Sequence, residues 1–152
     1  GGSMTPYSEM VELLFSAAHK SQHFKEFTFF YFHNTIYKNL YRDAHLTQPV
    51  PLNQVIRKYN DQLRIIIMGD AAMNPYELFM RHGAINYWQR NETPSIDRLK
   101  QLKHHFPHTI WLNPEKNSGW IPRTRQVIAR VFPMYPLTLQ GLDVGIKILL
   151  EL

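Results

Sequence analysis

The sequence predicts an α/β fold, a mainly parallel sheet with helices on both faces. Three observations carry this. Ile65-Ile66-Ile67-Met68 is a short, uninterrupted, mostly β-branched apolar run, as a strand buried on both faces should be. Gly69-Asp70 ends that run abruptly, and Asn74-Pro75 opens a helix with Asn as cap and Pro in the first turn. Further short apolar runs then alternate with amphipathic helical stretches to the end of the chain.

Length and composition narrow the class. At 152 residues the chain is one domain that can bury a core without staples. Hydrophobic residues make up 44% and charged residues 19%, a globular balance. With no cysteine, disulfides and thiolate metal sites are excluded, and a reducing, cytoplasmic location is the natural expectation. No run of 18 apolar residues and no signal pattern occurs, so neither a membrane span nor export is expected. The 17 Lys and Arg against 12 Asp and Glu give a formal charge of +5, but no basic run exceeds two residues. Nucleic-acid binders concentrate their charge in a stripe, so a nucleic-acid partner is not expected.

The elements follow in order. Gly1-Gly2-Ser3-Met4 reads either as a cloning linker before a start methionine or as native loop sequence. From Pro6, with Thr5 as cap, Tyr7, Met10, Leu14, Ala17 and Ala18 recur at helical spacing and form the expected inner face. Glu26 to His33, EFTFFYFH, is apolar on both faces and reads as an interior strand. Asn34-Thr35 is expected to turn it into a half-exposed edge strand at residues 36–41, forming a hairpin. Thr47 to Pro51 is a Pro-rich loop, Asn53 to Tyr59 a short helix, and the Ile65 run the central strand. Tyr76 to Arg81 is helical until Gly83, and an irregular bridge surrounds Trp88. After Thr93-Pro94 comes the clearest amphipathic helix, with Ile96, Leu99, Leu102 and Phe106 inward. Thr109 to Leu112 is a strand, Arg123 to Val131 a helix carrying Val127, Ile128 and Val131, and Met134 to Leu137 a last strand. Leu139 to Leu152 is a final helix with Leu142, Ile146, Leu149 and Leu150 inward. A helix beginning at residue 6 with no strand before it is unusual for this architecture, so a first strand is expected ahead of Gly1.

Asp70 is the leading functional candidate on position alone. It sits where a central strand leaves the sheet, and open α/β sheets bind ligands beyond the carboxyl ends of their strands. The competing reading is that its carboxylate caps the loop by accepting backbone N–H bonds. His19 and His23, four apart, could place two imidazoles on one helix face for Zn²⁺. Lys20 stands where a metalloprotease has Glu, and no third ligand is evident, so the helix end explains them better. His104, His105 and His108 likewise lie at a helix end, where positive charge suits the dipole. There is no P-loop, no Gly-x-Gly-x-x-Gly and no serine elbow.

Five stretches in one order carry a family resemblance: Gly1 to Met4 entering a helix, YFHN at Tyr31 to Asn34, GDAAMNPYEL at Gly69 to Leu78, WLNP at Trp111 to Pro114, and MYPLTLQGLD at Met134 to Asp143. Together they resemble the CoxE-like branch of von Willebrand factor A (VWA) domains, over essentially the whole chain. The resemblance implies a Rossmann-like VWA fold lacking its first strand, with a metal-ion-dependent adhesion site at the top of the sheet. Ser3 matches the last Ser of the family's Asp-x-Ser-x-Ser loop, Gly1 stands at the first Ser, and Asp70 matches the later Asp. The first Asp would fall two residues before Gly1. For the Thr ligand the match is either Thr47 or Leu52, and leucine cannot coordinate.

Such a site suits Mg²⁺, a hard dication wanting oxygen ligands in near-octahedral geometry. With one carboxylate and at most two hydroxyls, this chain should hold it weakly or not at all. The resemblance further implies a non-enzymatic adaptor working with a MoxR-type AAA+ ATPase, a client metalloenzyme, or both, in metalloenzyme assembly or activation. A strand-exchanged homo-oligomer would follow from the absent strand. The rival class is a Mg²⁺-dependent phosphatase of the haloacid-dehalogenase-like type using Asp70, but the Asp-x-Asp nucleophile loop such enzymes need is not present.

Overall fold

The computed structural model describes residues 2–20, 24–84, 91–114 and 122–151. Its centre is a three-stranded parallel sheet in the order β3 (Ile65–Met68), β4 (Thr109–Asn113), β5 (Met134–Pro136). All five residues of β4 are buried, so this strand, between two neighbours, is the middle of the molecule. Along each strand the side chains alternate between two cores, as the period of two requires. Ile65, Ile67, Trp111 and Met134 enter one core; Ile66, Met68, Ile110, Leu112 and Tyr135 enter the other.

Helices cover both faces. Over the first core lie α2 (Leu52–Lys58), α3 (Pro75–Phe79), α4 (Ser95–His105) and α5 (Arg123–Val131). Over the second lie α1 (Ser8–Lys20), entered through a 3-10 helix at Gly2–Tyr7, and α6 (Leu139–Glu151). The expected α/β class is therefore observed. The inward residues expected of α4 are all buried, as are Leu142, Ile146 and Leu149 of α6. Leu150 and Met10 are not: they are 46% and 37% exposed. Leu150 continues the apolar spelling of its helix but has rotated past the edge of the buried stripe.

The first half of the chain departs from expectation. Residues 24–33 form no ladder; a single antiparallel bridge joins Tyr31 to Tyr41. Aromatic rings of this stretch still divide between the cores, Phe24 and Phe27 packing against the second and Phe30 and Phe32 against the first. The chain therefore reverses across residues 32–40, wider than a tight turn at Asn34-Thr35. The edge strand of that reversal is only β1 (Asn39–Tyr41), and its ladder partner is β2 (Pro49–Pro51), read from sequence as loop. Two prolines are tolerated because Arg42 and Leu52, just outside the pair, donate to Gln48 and Lys38 at 3.0 and 2.9 Å. The Trp88 bridge and His23 lie outside the described residues.

β3 is the second departure. It was expected to be central, yet it forms one edge of the sheet. Ile65 and Gly69 donate to His108 and Leu112 of the β4 side, so by alternation the polar groups of Ile66 and Met68 face the open edge. Among the described residues no strand pairs with this edge and β3 itself carries no charge or proline, an arrangement that invites strand addition.

Two outcomes are expected. The chain should self-associate with rising concentration in size-exclusion light scattering, and Ile66→Pro, which removes an N–H not used by β4, should stay monomeric. A concentration-independent monomer for the unsubstituted chain would refute this. Separately, Leu99 is fully buried, and Leu99→Ala should lower the unfolding free energy by about 2 to 5 kcal/mol in urea titrations.

Candidate functional site

Asp70 follows the last residue of β3 by two, at the carboxyl end of the sheet. Its position is set from β4. The Trp111 indole N–H donates to Gly69 O at 2.7 Å, and Asn113 Nδ2 donates to Asp70 O at 2.8 Å. A Cβ on Gly69 would meet the Trp111 ring at 3.2 Å, so glycine lets the strand end lie against the indole. Ala71 then adopts φ 56°, a left-handed conformation that costs a non-glycine residue about 1 to 2 kcal/mol. That sharp bend turns the chain off the sheet at Asp70.

The carboxylate takes part in this bend. Oδ1 accepts from Ala72 N at 3.1 Å, the loop-capping role weighed from sequence. Oδ2 has no hydrogen-bond partner among the described residues, and the side chain is half-buried. Capping and ligand binding are thus compatible in one carboxylate. Four residues on, Asn74 Oδ1 accepts from Tyr76 N at 2.9 Å with Pro75 next to it, so the cap read from sequence is formed.

The other candidate ligands are placed less favourably. The backbone of Ser3 lies in the 3-10 helix; its side chain, and Gly1, lie outside the described residues. That helix sits at the same end of the sheet as Asp70: Pro6 and Tyr7 line a groove with Pro114 and Leu137, which follow β4 and β5. Thr47 lies in the loop between β1 and β2, where its hydroxyl and N–H both donate to Asp43, at 3.0 Å each. That loop is self-contained. The Asp43 carboxyl is desolvated enough to raise its pKa, yet hydrogen bonds from Gln48, Thr47 and His45 hold it below its ordinary value. Leu52, the other position weighed for the Thr ligand, is fully buried core. Among the described residues no group of three or more His, Asp or Glu could hold a metal. Asp70 is the one placed carboxylate of the expected ligand set, short of the oxygen donors Mg²⁺ requires.

Beside this loop the structure reveals a buried carboxylate that the sequence reading missed. Glu77 on α3 is fully buried. Its Oε1 accepts from the Tyr37 hydroxyl, while Oε2 has no hydrogen-bond partner among the described residues. Burial pushes the carboxyl above its usual range, against the pull of the Tyr37 hydroxyl, the Asn34 side chain and the Asn74 N–H. The signal was present in Asn74-Pro-Tyr-Glu77, a capping-box spacing in which the acid reaches back to the cap. Tyr37 closes this contact from the 31–41 region onto α3, tying the first half of the chain to the helix that leaves the Asp70 loop.

A carboxyl raised in the folded state stabilises most below its unfolded pKa. Stability should fall as pH rises from about 4.5 toward the raised folded value, then level off. Glu77→Gln keeps the shape and an acceptor for Tyr37 while removing the titration. Thermal melts from pH 4 to 8 should show a flatter profile for this variant. An unchanged slope would mean that Glu77 titrates normally.

Neither a scan against protein-family models nor searches of curated proteins and of solved structures find a match for this chain.

Proposed function

We propose that this domain is a non-enzymatic, protein-binding adaptor of the VWA, CoxE-like type, which engages a MoxR-type AAA+ ATPase or a client metalloenzyme through the carboxyl end of its sheet. The observation that supports this reading most is the setting of Asp70. A solvent-reaching carboxylate, with Oδ2 uncommitted, stands at the end of a parallel strand and is held there from β4 by Trp111 and Asn113. That rigid footing suits a contact surface, since a docking residue loses little further entropy when a partner binds. It does not suit phosphoryl transfer. An in-line nucleophile is needed beside the cation, and the carboxylate closest along the chain, Glu77, is sealed in the core. Among the described residues no helix is long and apolar enough to cross a membrane.

Mg²⁺ is not required by this reading for the chain as it stands, whose placed donors are too few. Calorimetry on three proteins tests the metal: this chain, the chain preceded by Asp-x, and the latter with Asp70→Ala. Weak or no Mg²⁺ binding is expected of the first, measurable binding of the second, and loss in the third. Equal binding by all three would place any metal away from Asp70.

The adaptor itself is tested by partner capture and turnover. Asp70→Asn should weaken recovery of the co-expressed ATPase or client in pull-downs, and no Mg²⁺-dependent hydrolysis of an aryl phosphate should appear in either form. Turnover that Asp70→Asn abolishes would favour the phosphatase. Unchanged recovery of every partner would remove Asp70 from the docking surface.

A further inference from the structure

Charge that is scattered in the sequence is gathered at one end of the fold. Helices α2, α4 and α5 run directly into β3, β4 and β5, so their last turns lie together at the amino ends of those strands, opposite Asp70. Each of those turns is basic: Arg57 and Lys58 on α2, Lys103, His104 and His105 on α4, and Arg130 on α5. The ends of α2 and α4 are in contact. His105 Nε2 lies 3.2 Å from Tyr59 O, and the Lys58 ammonium sits 5.2 Å from the centre of the Tyr59 ring. Arg64 adds its guanidinium just before β3, and His108 its imidazole just before β4.

Helix ends attract cations for their own reasons, so the internal demand must be subtracted first. Lys103 is used internally: its Nζ donates to Pro107 O at 2.6 Å and Thr109 O at 3.1 Å. Arg64 is used too, donating to Leu149 O at 2.7 Å and to Gln62 O. Arg57, Lys58, His104 and Arg130 remain exposed, with no hydrogen bond or ion pair among the described residues. Among the described residues, the carboxylates at this end include Asp61, after α2, Glu26, after α1 and beside Lys20 and Lys25 in sequence, and Glu151, at the end of α6 beside the Arg64–Leu149 contact. The balance is positive.

We propose that this basic end of the sheet is a second docking surface, which takes an acidic polypeptide segment, a run of Asp and Glu, from a partner. The chemistry of the surface selects that class. Cations come from three separate helix ends, which suits an extended chain carrying repeated carboxylates. Bases of a single-stranded nucleic acid need aromatic rings to stack on. Among the described residues of these three helix ends the tyrosine ring is that of Tyr59, which is half-buried and covered by Lys58. The surface is independent of Asp70, so it stands or falls apart from the adaptor reading above.

The test uses the full chain and a fluorescein-labelled oligoglutamate peptide, followed by anisotropy. Binding is expected at low salt and should fade as salt rises. Lys58→Glu should weaken it about tenfold. Arg123→Glu makes the same charge change at the first turn of α5, toward the opposite end of the sheet, and should leave it nearly unchanged. Equal losses in the two variants would show attraction to net charge alone and overturn the proposal, as would absence of binding at low salt. Tighter binding of an oligothymidylate, or of phosphatidylserine vesicles, than of the peptide would overturn the assignment to an acidic polypeptide.

Discussion

The contact between Trp111 and Gly69 is the constraint on which the carboxyl end of the sheet depends. A large indole on the middle strand occupies the space a side chain at 69 would need, and its N–H satisfies the carbonyl of that same residue. Trp111 is fully buried and its ring lies 5.8 Å from that of Phe132, so it has nowhere to move. Dense packing of this kind transmits position, since a shift of the ring would open a void against several neighbours. The end of β3 is thereby fixed relative to β4. Asn113, two residues along β4 on the same face, fixes the next carbonyl. With both carbonyls held, the backbone must turn sharply to leave the sheet, and Ala71 carries that turn in a left-handed conformation. Asp70 owes its place to two side chains of another strand.

Much of this was legible because the signals are local. The β-branched run at residues 65–67 gave β3, the Asn74-Pro75 pair gave the start of α3, and the apolar spacing from residue 96 gave α4 with its buried face. α5 has the bounds its pattern implied. What failed was the pairing of elements, which depends on partners distant in sequence. EFTFFYFH is apolar on both faces, as an interior strand is, but a ladder requires a neighbour at the right spacing, and among the described residues only Tyr31 has one. β2 was read as loop because of its prolines; it forms because each proline sits where no N–H is demanded of it. β3 looked central because its side chains are apolar in both directions. Apolar faces report what lies above and below a strand, not what lies beside it.

At the candidate site the same division holds. Asp70 was found from position, since a carboxylate after an apolar run at a strand end is a local pattern. Glu77 was not, because acidic residues in a helix's first turn are usually solvated, and its burial depends on Tyr37 arriving from a segment forty residues earlier. Thr47 was a candidate because it was a hydroxyl in the right interval; the structure gives that hydroxyl to Asp43. Spacing names a set of possible ligands, and only the third dimension decides which of them are already engaged.

Topology also explains why composition understated the electrostatics. No basic run in the chain exceeds two residues, which argued against a charged surface. In a parallel sheet, however, every connecting helix returns the chain to the amino end, so residues chosen separately to suit several helix ends are delivered to one place. Anionic and amide-bearing groups that suit helix starts and strand ends are delivered to the other, where Asp70, Asn74 and Asn113 lie. The resulting polarity needs no clustering in the sequence. It gives the domain two chemically distinct ends separated by the length of the strands and their loops, so two partners could occupy it at once without competing for a residue. Under the proposed adaptor reading that geometry matters more than the strength of either contact: a weak hold at each end becomes effective once both are engaged, because the second binding event is then intramolecular.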